Sequence, residues 1–132
     1  MQFSVLYDVA GPGTLVAGAI FGLFTLLGLT LVITLIEALV LFWLKWNRFW
    51  RSFLSALLMN IASSILGLFV AIPMLSFGFV GVVAAFIVSV FVEGVVLVLM
   101  KRGNPKQNWT AALLANLASY VLVITPLYFW AQ

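Results

Sequence analysis

Neither cysteine nor histidine occurs anywhere in the 132-residue chain. Without cysteine there is no disulfide framework and no thiolate metal site. Without histidine the commonest general base and the usual haem ligand are gone. A Ser–His or Cys–His catalytic arrangement is therefore excluded. Charge is nearly as scarce, with six basic and three acidic residues making up 7% of a chain that is 66% hydrophobic. A soluble domain carries roughly a quarter of its residues as charged side chains, so an ordinary soluble fold is excluded too. The net charge of +3 rests on a few basic residues that flank apolar runs, which argues against a nucleic-acid partner. Residues 1–14 lack the basic start of a secretory signal and carry Asp8. They read as an external lead ahead of a single membrane domain over 15–132.

What the chain does have is long apolar stretches. Candidate spans cover about 15–44, 53–74, 82–100 and 110–130, close to or above the ~20 residues that cross ~30 Å of hydrocarbon. Gly11-Pro12-Gly13 precedes the first, with Thr14 as its expected N-cap. That span exceeds one upright crossing, so it tilts or its first turns lie outside the hydrocarbon. Lys45 to Arg51 (KWNRFWR) reads as a basic, Trp-rich turn and Ser76 to Gly81 as a short apolar connection. Lys101 to Trp109 (KRGNPKQNW) reads as a loop whose turn signal is Asn104-Pro105. The expected fold is an all-α bundle of four transmembrane helices, with the bilayer as its first partner.

Every basic residue lies in the first or third connection: Lys45, Arg48 and Arg51, then Lys101, Arg102 and Lys106. The positive-inside rule places loops 45–52 and 101–109 on the cytoplasmic side of a cytoplasmic (inner) membrane and both termini outside. Trp43, Trp46, Trp50 and Trp109 then form an inner aromatic belt, with Tyr128 and Trp130 at the outer face. The first three indoles are expected on one face as interfacial anchors. Lys45, Arg48 and Arg51 can meet anionic headgroups, although three charges are fewer than the usual polybasic cluster.

A shift of 56 positions brings Glu37 onto Glu93, Lys45 onto Lys101, Asn60 onto Asn116 and Ser63 onto Ser119, without a gap. Such residues are rare in this chain and costly in lipid, so their coincidence points to a duplicated helical hairpin, about 37–64 and 93–120. Two spans per copy make the repeat parallel. At 1.5 Å per residue, Glu37 and Glu93 lie about 12 Å from the inner ends of their helices, and Asn60 and Asn116 about 13–15 Å. Antiparallel neighbours would let Glu37 face Asn60 and Glu93 face Asn116. Thr30, Thr34 and Glu37 share one stripe, as do Ser89 and Glu93. Ala56, Asn60 and Ser63 form a small-polar stripe, matched by Ala112, Asn116 and Ser119.

The preferred reading of this set is interhelical pairing of protonated glutamates with amides, since a bare carboxylate is costly in hydrocarbon. It makes the protein a non-enzymatic scaffold or accessory subunit of a membrane assembly, with a membrane-protein partner or a homo-oligomer. The alternative is a small oligomeric proton or cation carrier or channel that coordinates through oxygen. An intramembrane acid dyad is the one enzymatic chemistry left, and an asparagine beside each acid argues against it. No cofactor and no metal is expected.

The run Ile36-Glu37-Ala38-Leu39-Val40-Leu41, with Asn60, Ser63, Ser64 and Gly67, resembles a helical hairpin of small prokaryotic membrane proteins of unknown role. It also resembles the cyanobacterial filament-integrity protein FraC, a membrane protein associated with septal junctions. The second copy follows the pattern less closely, with Gly94 for the alanine and Tyr120 for the second serine. The resemblance implies a partner-binding role in a membrane assembly.

Overall fold

The computed structural model describes residues 12–131, and of residues 12, 70–72, 74 and 75 the backbone alone. Asp8 and the expected lead up to residue 11 lie outside the described residues. The helices are α1 (Pro12–Trp43), α2 (Phe49–Met74), α3 (Phe79–Met100), α4 (Pro105–Ser119) and α5 (Thr125–Trp130). A 3₁₀ turn, Leu75–Phe77, joins α2 to α3, and a π-helical turn, Tyr120–Ile124, carries α4 into α5. Four helical stretches are long and apolar enough to cross a membrane: Gly13–Trp43, Phe49–Phe69, Phe79–Met100 and Pro105–Trp130. No strand occurs among the described residues. The chain divides into two units, one ending at Leu31 and one running from Val32.

Local chemistry sets the boundaries, and several differ from the sequence expectation. Pro12 opens α1, so Thr14 lies within the first turn and is not the cap; proline's fixed φ suits the first helical position. The C-terminus of α1 is closed by a left-handed residue, Lys45 at φ 53°. Its N–H bonds to the Phe42 carbonyl at 3.0 Å, and the Trp46 N–H bonds to the Leu41 carbonyl at 2.9 Å. This is the paired bonding of a Schellman motif, and Trp46 and Leu41 belong to one buried apolar cluster. The turn is thus tighter than KWNRFWR suggested, and Phe49 to Arg51 already belong to α2. Likewise Asn104-Pro105 starts a helix rather than a loop. The Asn104 side chain accepts from the Gln107 N–H at 3.1 Å with Pro105 behind it, so residues 105–109 are helical.

The π turn also has a local cause. Pro126 has no N–H and its ring crowds the carbonyl four residues earlier. The helix passes this point by widening, with the Thr125 N–H bonding to the Tyr120 carbonyl five residues back.

The buried positions of α1 and α2 in the second unit recur 56 residues later in α3 and α4. Ala38, Leu41, Ala56 and Met59 are buried, and so are Gly94, Leu97, Ala112 and Ala115. These stripes are narrow, and most of the other apolar side chains are exposed, as helices long and apolar enough to cross a membrane allow. One pair of positions trades volume between the hairpins. Gly94 lies directly under the Trp109 ring, where a Cβ would overlap the indole carbons. At the matching positions of the first hairpin, Phe53 packs against the buried cluster that contains Ala38.

Candidate functional site

Four helices of the second unit contribute side chains to one polar cluster. Asn60 on α2 donates from Nδ2 to Glu37 Oε2 on α1 at 2.5 Å and to the Ala56 carbonyl at 3.0 Å. Asn116 on α4 does the same, to Glu93 Oε2 on α3 at 2.6 Å and to the Ala112 carbonyl at 3.0 Å. The bond to the carbonyl one turn back holds each amide so that its second N–H points at the carboxyl. The hairpins are also joined crosswise. Ser119 Oγ donates to Glu37 Oε1 at 2.8 Å across 82 residues of sequence, and Ser63 faces the Glu93 carboxyl. Glu37, Glu93, Asn116 and Ser119 are 1% exposed and Asn60 8%. Both oxygens of Glu37 therefore accept a protein donor, which is what burial demands of a polar group.

The cluster surrounds a cavity of about 160 Å³ lined by Ile33, Glu37, Asn60, Ser63, Ser64, Ser89, Glu93, Asn116, Ser119, Tyr120 and Ile124. Nine of these eleven residues are polar, and ten form five pairs separated by 56 positions. Within the pairs, Ile33 corresponds to Ser89, and Ser64 to Tyr120. The second hairpin alone thus has a Ser89–Tyr120 hydroxyl contact, at 3.3 Å. Tyr120 and Ile124 bracket the π turn, so the widening of the helix occurs at the cavity wall. The lining offers carboxyl, carboxamide and hydroxyl oxygens, a set suited to protons and hard cations.

All six residues expected in the intramembrane cluster thus come together. Sequence reasoning left Tyr120 outside the site, although the 56-residue shift places it on Ser64. Thr34, expected on the Glu37 stripe, is fully buried, and its Oγ1 has no partner among the described residues. Thr30 bonds within its own helix, to the Leu26 carbonyl at 2.9 Å.

The basic and aromatic set separates into two kinds. Trp43 and Trp50 are 80% and 70% exposed, as interfacial anchors would be, but Trp46 is 3% exposed. The three indoles do not share a face, because α1 ends at Trp43 and the left-handed Lys45 turns the chain before Trp46. Trp46 Nε1 donates to the buried Asn108 Oδ1 at 2.7 Å, and Asn108 Nδ2 donates to the Lys101 carbonyl at 2.6 Å. Lys101 Nζ closes the clasp on the Trp46 carbonyl at 2.7 Å and reaches Gln107 Oε1 at 3.3 Å. The first and third connections are therefore held together. Trp109 packs under Phe91, ring centres 5.9 Å apart, and over Gly94. Lys45, Arg48, Arg51, Arg102 and Lys106 are exposed. Comparison with protein-family models, with curated proteins and with solved structures gives no match.

Proposed function

We propose that the protein is a non-enzymatic multi-pass membrane protein that takes up a proton or small cation between Glu37 and Glu93, as a small oligomeric carrier or channel. The observation that carries this reading is the 160 Å³ cavity with nine polar residues in its wall. Pairing of helices alone asks for no such space, since protein interiors close over voids larger than a water molecule. A polar cavity of this size has room for several waters and the partners to hold them. An ionisable residue at this depth is costly, and function is the usual reason for keeping one. In this reading the two hairpins are a parallel duplication about an axis along the membrane normal, with the cavity on that axis. The basic loops face the cytoplasm across a prokaryotic inner membrane, and both termini lie outside.

A second reading, that of scaffold or accessory subunit, draws on a different observation. Asn60 and Ser119 between them occupy both oxygens of Glu37, the pattern of a clip that fixes the register of two hairpins. The resemblance to the FraC type of membrane protein belongs with this reading.

Flux into liposomes across an imposed pH or cation gradient separates the two. The carrier reading expects a leak that Glu37→Gln and Glu93→Gln each reduce while far-UV circular dichroism stays unchanged. Tight vesicles with wild-type protein, together with co-purification of a large complex, would give the function to the scaffold.

A further inference from the structure

The end of the second unit that carries the two connections has cations and no counter-charge. Among the described residues its six basic residues face no acidic side chain, since Glu37 and Glu93 both line the interior cavity. Lys101 is satisfied within the clasp by the Trp46 carbonyl and Gln107. The others are exposed and form no ion pair among the described residues. Two of them, Lys45 and Arg48, share one cleft with Phe42, Trp43 and Asn47, of about 490 Å³. The left-handed turn at Lys45 creates this grouping, because it folds the chain back over the last turn of α1. The cleft therefore pairs two cationic groups with an apolar floor of Phe42 and the largely exposed Trp43.

We infer that this cleft docks one anionic phospholipid, its phosphate between Lys45 and Arg48 and its glycerol and upper acyl chain against Phe42 and Trp43. Three features select lipid over a soluble anion or an acidic protein segment. The cleft lies at the end of a helix long and apolar enough to span a membrane, which is the depth of the headgroups. Indole rings favour that same layer. The floor is apolar, which a free phosphate has no use for and an acyl chain does. Three basic residues in a row of sequence are too few for a diffuse polybasic attraction, whereas two in one cleft make a defined site. The clasp between Trp46, Asn108 and Lys101 keeps the site's walls in place.

The test is native mass spectrometry of the full chain in detergent, titrated with phosphatidylglycerol or phosphatidylcholine of equal chain length. One phosphatidylglycerol should bind more tightly than phosphatidylcholine. Each cation near an anionic headgroup contributes about a fivefold gain, so Lys45→Gln/Arg48→Gln should weaken the phosphatidylglycerol adduct about 25-fold. A second variant, Arg102→Gln/Lys106→Gln, removes the same charge from the other connection and should leave the adduct within twofold. Equal binding of both lipids, equal loss in both variants, or displacement of the lipid by inorganic phosphate would each overturn the inference. So would saturable binding of a glutamate-rich peptide in place of lipid. Far-UV circular dichroism of both variants confirms that they are folded, and Trp43→Ala, which keeps both cations, should still weaken the adduct through the lost floor.

Discussion

Substituting Gly94 with alanine tests the packing of the second hairpin where its tolerance is least. A Cβ at this position meets three carbons of the Trp109 ring, two of them closer than real side chains approach. To make room the indole would have to shift against Phe91, whose tilted ring has its centre 5.9 Å away. Forced overpacking of this kind costs about 1–3 kcal/mol, a factor of roughly 5–150 in the folding equilibrium. The first hairpin already holds the compensated arrangement, alanine at 38 and phenylalanine at 53. Trp109→Phe alone should cost about 1 kcal/mol through lost contact. In the double variant the smaller ring makes space for the methyl, so the two effects should couple favourably by about 1–2 kcal/mol. Unfolding by SDS in mixed micelles, followed by far-UV circular dichroism, measures all three variants without depending on Trp109 emission. An additive double variant, or a neutral Gly94→Ala, would falsify the claim that Gly94 exists to admit the indole.

Thr34→Val should stabilise the protein by about 1 kcal/mol, because it removes a buried hydroxyl that bonds to nothing among the described residues. Valine is also what the second hairpin carries at the matching position, Val90; a loss of stability in the same SDS titration would mean that the hydroxyl has a partner. Trp46→Phe should cost about 1–3 kcal/mol, since it strips the buried Asn108 Oδ1 of its 2.7 Å donor. Hydrogen exchange should then quicken at residues 101–104, and unchanged protection there would show that the clasp does not hold the connections together.

The four spans and the four polar partners were readable in the sequence because each rests on a short-range rule. Runs of apolar residues announce a helix in lipid, and a 23-residue separation between Glu and Asn places both at one depth in a hairpin. The crosswise bond from Ser119 to Glu37 was not readable, because it depends on how one hairpin is set against the other. The same is true of the cavity, which is a property of the space between helices. Trp46 misled for a different reason. Residue spacing alone put it on one face with Trp43 and Trp50, but α1 ends at Trp43 and a lysine in the left-handed region turns the chain just before Trp46. Lysine is not the residue that marks such a turn, whereas glycine would have been. The π turn was hidden too, although Pro126 was visible, because a proline near a helix end permits a kink, a break or a widening.

The cavity's walls are matched in three of their five pairs and mismatched in two, where Ile33 corresponds to Ser89 and Ser64 to Tyr120. A guest bound there meets a greasy, short-armed flank on one side and a phenol tethered to a serine on the other. Two carboxyls of the same kind are thereby made inequivalent neighbours. A single occupant has a preferred lean toward one of them, and the two glutamate-to-glutamine exchanges should differ in degree even where they agree in direction.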